Sequence, residues 1–232
     1  MKKLFAICII GLSSLSASYA QDVYSVPLSD IRCSDPFILP DKSDNTYYMY
    51  STGGGGRVMS RASKDLVNWT EPFEVMKFSD DHWAGNKAAS WASEVHKYNG
   101  KYYLFTTSHT QEVMVTLPGR GDIPHRATQI YVSDSPRGPF RDFTGNKPHT
   151  PWNWAALDGT LWMEDGVPYM VFCHEWLQTI DGTMEAVRLP SDLGVPAEAP
   201  FTLFTASEAR WSGEMLELGE KTNGKDIGGN VT

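Results

Sequence analysis

The chain has 232 residues, 41% hydrophobic, 21% charged and 12% aromatic, a composition that excludes a disordered, collagen-like, coiled-coil or disulfide-dense protein. Its 20 Lys and Arg against 28 Asp and Glu leave a net charge of −8; the basic footprint that a phosphate backbone requires is missing, and no nucleic-acid partner is expected. Eight Trp, 10 Tyr and 10 Phe accompany 20 Gly and 14 Pro, the residue stock of short strands and frequent turns, which predicts an all-β domain.

Residues 1–20 carry Lys2 and Lys3, an apolar run from Leu4 to Leu12 and a small-residue approach ending Ser18-Tyr19-Ala20. This layout predicts a signal peptide cleaved before Gln21 and an exported protein, periplasmic or extracellular. Loss of the two lysines leaves 18 basic against 28 acidic side chains, a net charge of −10. The run falls short of the roughly 18 apolar residues of a membrane helix and no later stretch reaches that length, so no membrane span is expected. Cys8 lies in the leader behind the bulky Ile7, which argues against acylation. Cys33 and Cys173 read as two unpaired buried thiols rather than a disulfide. No Cys or His spacing has the form of a metal site, and no metal is expected.

Three segments then repeat one plan: Ser34 to Thr52, Ser93 to Thr107 and Leu157 to Cys173. Each sets an acid before an apolar strand, turns at Asp44-Asn45, Asn99-Gly100 or Asp165-Gly166, and continues in a strand containing Tyr, which is a hairpin signature. Arg57 to Glu71, Thr128 to Phe143 and Thr183 to Phe204 each add an alternating strand, a polar turn and an aromatic-ended outer strand. The unit is therefore four antiparallel strands. Its leading acids Asp35, Glu94 and Asp158 are 59 and 64 positions apart, the period of a propeller blade with a generous loop. Blades are expected near residues 31–90, 91–155 and 156–205 of a domain spanning 21–232, with a linker and the start of a fourth blade over 206–232. The connections Asp80 to Ala89, Glu112 to Arg126 and Lys147 to Ala156 are expected as rim loops, and they hold Trp83, Trp152 and Trp154. Gly53 to Gly56 reads as a hairpin tip rather than a phosphate loop, because it lacks a Lys-Ser/Thr partner and leads into a strand.

In a propeller the first strand of each blade lines the axis, so acids heading those strands converge on one pocket. Pro36 is expected to hold Asp35 extended, and Gly159 to leave room beside Asp158 for a ligand or another backbone. Two carboxylates across a polar ligand suit glycoside hydrolysis: one protonates the leaving oxygen and the other activates water, roughly 6.5–9.5 Å apart when the reaction inverts configuration. A third carboxylate nearby raises the acid's pKa by like-charge repulsion. Trp91 and Trp154, just ahead of Glu94 and Asp158, are candidates to stack on sugar rings, with packing between blades as the alternative. His174 and Glu175, at the end of the third blade's second strand, are candidates for the pocket rim, against a structural histidine and a surface carboxylate. Trp69, Trp162 and Trp211 are expected in the core.

The strings S-D-P-F-I at Ser34–Ile38, W-A-S-E-V-H-K-Y-N-G-K-Y-Y-L-F at Trp91–Phe105, and A-L-D-G-T-L-W at Ala156–Trp162 followed by D-G-V-P-Y-M-V-F at Asp165–Phe172 come in order at blade spacing. Together they resemble glycoside hydrolase family 43, the five-bladed β-propeller arabinosidases and xylosidases. The resemblance implies Asp35 as general base, Asp158 as pKa modulator, and Glu94 as the acidic position of the second blade, near the pocket but not a principal catalyst. It implies inverting cleavage of α-L-arabinofuranosyl or β-D-xylosyl linkages in an oligo- or polysaccharide, with no required cofactor and room for a structural ion in the axial channel. The family's general acid, a glutamate heading the fourth blade in a Glu-Gly-Pro type motif, has no match before Thr232. The resemblance thus implies a C-terminally truncated chain with impaired hydrolysis; Glu185 and Glu214 are weaker substitutes for the acid. A non-catalytic carbohydrate-binding propeller is the alternative.

Overall fold

The computed structural model describes residues 22–85 and 87–208, together with the strand pairs at 221–222 and 225–226. The expected leader, Trp211, Glu214 and most of the expected fourth-blade segment lie outside the described residues. In chain order the first sheet takes β1 (Val26–Pro27), β2 (Phe37–Asp41), β3 (Thr46–Thr52), β4 (Arg57–Ser63), β5 (Asn68–Trp69) and β6 (Phe73–Lys77). Here β2, β3 and β4 form an antiparallel meander, β6 pairs with β4, and β5 and β1 extend the order beyond β4. The second sheet is β7 (Ala89–Tyr98), β8 (Lys101–Leu117) and β9 (Gly121–Ser133). The third is β10 (Ala156–Glu164), β11 (Val167–His174), β12 (Thr183–Arg188) and β13 (Phe201–Thr205), with the one-turn helix α1 (Trp176–Thr179) between β11 and β12. The short strands β14 (Lys221–Thr222) and β15 (Lys225–Asp226) pair with each other. No helix among the described residues is long and apolar enough to cross a membrane.

These sheets are successive propeller blades, and local turn chemistry sets their registers. Tyr98 pairs with Lys101 and Glu164 with Val167, closing two-residue hairpins at Asn99-Gly100 and Asp165-Gly166. All four turn residues have positive φ, between 46° and 80°, which is the demand that selects Asn-Gly and Asp-Gly. Gly54, Gly55 and Gly56 also have positive φ, at the tip between β3 and β4.

Two elements depart from the sequence expectation. The outer strand of the second blade shrinks to a single bridge, Val132 to Arg141. Pro136 and Pro139 carry no N–H to donate, and the Phe140 N–H instead donates to the Val75 carbonyl on β6 at 2.8 Å, drawing this segment onto the first blade. The stretch from Glu112 to Arg126 is not a rim loop: β8 and β9 continue through it as a long hairpin, in keeping with the strand preference of Val113, Val115, Thr116 and Ile123.

The core follows from strand alternation. Tyr102, Leu104 and Tyr131 of the second blade pack with Tyr50, Val58 and Val75 of the first. Tyr103, Phe105 and Ile130 pack with Met170, Phe172 and Val187 of the third. The second blade is thus apolar on both faces, each fully buried side chain contributing about 1.5–3 kcal/mol. Trp69 is fully buried, as expected, whereas Trp162 is 57% exposed: its neighbour Leu161 packs on the second blade, and alternation turns Trp162 to the opposite face along with Phe201, 51% exposed. Cys33 and Cys173 are unpaired, but Cys33 is exposed rather than buried, because it precedes β2 outside both apolar clusters.

The room beside Gly159 is filled by a neighbouring side chain, not by a ligand or a backbone. A Cβ at this position would sit 2.7 Å from the Thr128 Cγ2 and 3.0 Å from the Met170 sulfur. Thr128 is fully buried and its branched side chain has little freedom to yield. Gly159→Ala is expected to destabilise the fold by about 1–3 kcal/mol, read as a lower urea midpoint at unchanged m-value; an unchanged midpoint would show that the two blades can separate without cost.

Candidate active site

The inner strands β2, β7 and β10 begin with the same backbone device. Asp35, Ala92 and Asp158 have φ of 48°, 42° and 58°, the left-handed region that short polar residues tolerate best. In the second and third blades this residue sits in a bulge: the register slips between Trp91 and Glu94 and between Leu157 and Thr160, so two residues face one on the partner strand. Asp35 is therefore not extended, despite Pro36. The structural counterpart of Asp35 and Asp158 is Ala92, and Glu94 instead corresponds to Phe37 and Thr160. Matching the chain by its acids alone placed Glu94 two residues out of step.

A cavity of about 600 Å³ opens where the strand heads meet, bounded by Ser34 and Asp35 from the first blade, Trp91 and Arg126 from the second, and Asp158 and Glu175 from the third. The Thr107 hydroxyl, on the second blade, accepts the Asp158 N–H at 2.8 Å and donates to its Oδ1 at 3.4 Å. Asp158 keeps surface open toward the cavity mouth, yet the walls around its carboxyl withhold water. That burial is the main cause lifting its pKa from 3.8 to about 6; the Asp35 charge adds to it, the Thr107 hydrogen bond opposes it, and Glu175 and Glu94 contribute further repulsion. Glu175 is likewise raised by burial, against the pull of Arg126, with which it forms an ion pair.

The remaining candidates divide. Trp91 borders the cavity with its indole stacked on the His109 ring, centroids 4.1 Å apart. Glu94 does not border it: its carboxylate accepts from Thr160 Oγ1 at 2.6 Å and lies 3.1 Å from His96 Nε2. Burial pushes Glu94 up, but the His96 and Thr160 hydrogen bonds outweigh it and hold the carboxylate below its ordinary value. Trp154 and His174 stack on one another at 4.1 Å, with His174 Nε2 2.9 Å from Gln178 Oε1, and neither borders the cavity. Mutual stacking, invisible in a linear pattern, uses the surfaces that were candidates for sugar. Glu185 is buried and accepts from Thr183 and Thr202, away from the cavity. Sequence reasoning missed Arg126 and Thr107, because an isolated Arg or Thr in an alternating strand carries no signal of what it meets across a blade boundary. Among the described residues no group of three or more His, Cys, Asp or Glu side chains is placed to hold a metal ion.

The Asp158 proton is held more tightly in the folded chain than in the unfolded one, where the carboxyl has its ordinary value of 3.8. Its contribution to stability is therefore full below that value and is lost as pH rises through about 6. Asp158→Asn is expected to raise the urea midpoint at about pH 7 relative to wild type, with the gain shrinking toward about pH 4. Asp35→Asn is expected to move the Asp158 titration downward in carbon-detected NMR; an unmoved titration would separate the two carboxylates electrostatically.

Comparison with known proteins bears on the family and the fold. Residues 24–220 match the family model described as "Glycosyl hydrolases family 43". A protein of Aspergillus niger named "Probable arabinan endo-1,5-alpha-L-arabinosidase C" is 36% identical over 143 residues, 61% of this chain and 42% of that protein. The crystal structure of an endo-arabinase from Bacteroides thetaiotaomicron superposes with a TM-score of 0.75 at 37% identity, covering 90% of this chain and 66% of that one. An alpha-L-arabinofuranosidase from Lactobacillus brevis, 20% identical, shares the fold with a TM-score of 0.55 over 74% of this chain and 53% of its own. The chain spans less than half the length of the curated relative and about two thirds of the Bacteroides structure. With the family model covering most of its length, the chain belongs to glycosyl hydrolase family 43.

Proposed function

We propose that this chain provides the base side of an exported, inverting glycoside hydrolase that cleaves α-L-arabinofuranosyl linkages of plant polysaccharide, arabinan in preference to xylosyl polymers. One observation carries the reading: Asp35 and Asp158, delivered by different blades through the same strand-head geometry, share a cavity in which the charge of the first raises the pKa of the second. Asp35 is the general base that takes a proton from the attacking water. Asp158, lifted to about 6, tunes the protonation of the group that protonates the leaving oxygen. Trp91 offers an apolar edge to a sugar ring, while Glu94, Trp154 and His174 support the wall. The preference for arabinan rests on the similarity to the Aspergillus and Bacteroides proteins, which are named for action on arabinan.

The third carboxylate of the cavity, Glu175, is committed to Arg126, and no other described glutamate borders the cavity. The described residues are therefore proposed to supply no effective general acid, and cleavage of natural glycosides by them is expected to be slower by about the 10²- to 10⁴-fold that such a group supplies. The same commitment favours a second reading, a propeller that binds saccharide without cleaving it. The two separate on an aryl α-L-arabinofuranoside whose leaving group needs no protonation. Hydrolysis is expected, with the β anomer appearing first by proton NMR, loss in Asp35→Asn, and little cleavage of linear arabinan. A first-formed α anomer would overturn inversion and preference for the aryl xyloside would overturn the arabinosyl specificity; saccharide binding with no turnover would sink the hydrolase reading and leave the binding propeller.

A further inference from the structure

Arg126 is a cation set into the wall of an otherwise acidic cavity, and three contacts immobilise it. Its Nη1 donates to Glu175 Oε1, its Nε donates to His109 Nδ1 at 3.1 Å, and its guanidinium carbon lies 5.1 Å over the Trp91 ring. His109 stacks on the same indole, so the clamp closes on itself across the boundary between the second and third blades. Only Nε and Nη1 have protein acceptors among the described residues, leaving further donors of the fixed guanidinium fork unused. The partner is also incomplete: Glu175 Oε2 is buried without a hydrogen bond. Unused donors at a cavity wall match the oxygens of a pair of neighbouring hydroxyls, each able to accept. Arg126 lies on β9, the third strand of its blade, and so stands outboard of the strand heads that present Asp35 and Asp158.

We propose that Arg126, held by Glu175, His109 and Trp91, binds the vicinal hydroxyls of a second sugar unit, the one adjoining the unit between Asp35 and Asp158, so that the site takes an α-1,5-linked arabinofuranosyl chain rather than a single terminal sugar. This rests on the proposed function and deepens it. Each internal unit of such a chain keeps its O2 and O3 hydroxyls free, the diol that the unused donors of the fork match.

The test uses the full chain and two probes, α-1,5-L-arabinotriose and methyl α-L-arabinofuranoside, titrated by calorimetry and ligand-observed NMR. Wild type is expected to prefer the triose. Arg126→Ala is expected to weaken triose binding about 10- to 100-fold and leave the methyl glycoside within about twofold. Arg126→Lys, which keeps charge but not the planar fork, recovers little of the loss. Glu175→Gln, which frees Arg126 from its anchor, gives a smaller loss on the triose alone. Unchanged triose binding in Arg126→Ala overturns the proposal. So does a parallel loss on both probes with a lowered urea midpoint, which marks a merely structural ion pair. Failure of wild type to bind either probe overturns the proposed function, and this inference with it.

Discussion

Everything at the site depends on one backbone constraint: an inner strand can aim its first side chain at the shared axis only by turning that residue out of the pleat. The left-handed φ shared by Asp35, Ala92 and Asp158 is that turn. Aspartate tolerates this conformation through its short polar side chain, whereas at Ala92 it is held by the surrounding bulge, in which the Ser93 and Thr106 hydroxyls lie 2.9 Å apart. The geometry therefore repeats in all three blades while a carboxylate appears at the turn in only two.

The second blade holds this arrangement together because it has no free face. Its alternating side chains bury Leu104 on one side and Phe105 on the other, so the first and third blades are located against the same sheet and their aspartates against one another. The Asp158 N–H donates to Thr107 Oγ1 and the Gly159 N–H to Thr128 Oγ1, tying the third strand head to that sheet directly. The positions of two carboxylates more than a hundred residues apart are thus a packing property of residues that do no chemistry.

Electrostatically the cavity gathers Asp35, Asp158 and Glu175 and offsets them with Arg126. The guanidinium is locked to Glu175, and repulsion from Asp35 adds to the burial that chiefly lifts Asp158 to about 6. The same side chain lines the cavity with donors that have no protein acceptor among the described residues. Trp91 carries both His109 and Arg126 on its ring.

What the sequence determined by itself was everything whose cause is local. Asn99-Gly100 and Asp165-Gly166 specify their hairpins because few other dipeptides accept two positive φ values, and alternation in the Tyr-bearing strands gave the blades. Asp35 and Asp158 were legible because strand heads in a repeat can be matched. Glu94 was misplaced because a bulge inserts a residue without changing the hydrophobic pattern. The second blade's outer strand was lost to a hydrogen bond with Val75, 65 residues earlier than Phe140. Only the tertiary structure could pair Trp154 with His174, turn Trp162 outward and bring Arg126 to Glu175. Those outcomes depend on which faces meet across a blade boundary, and a strand's sequence encodes how its side chains alternate but not what stands opposite them.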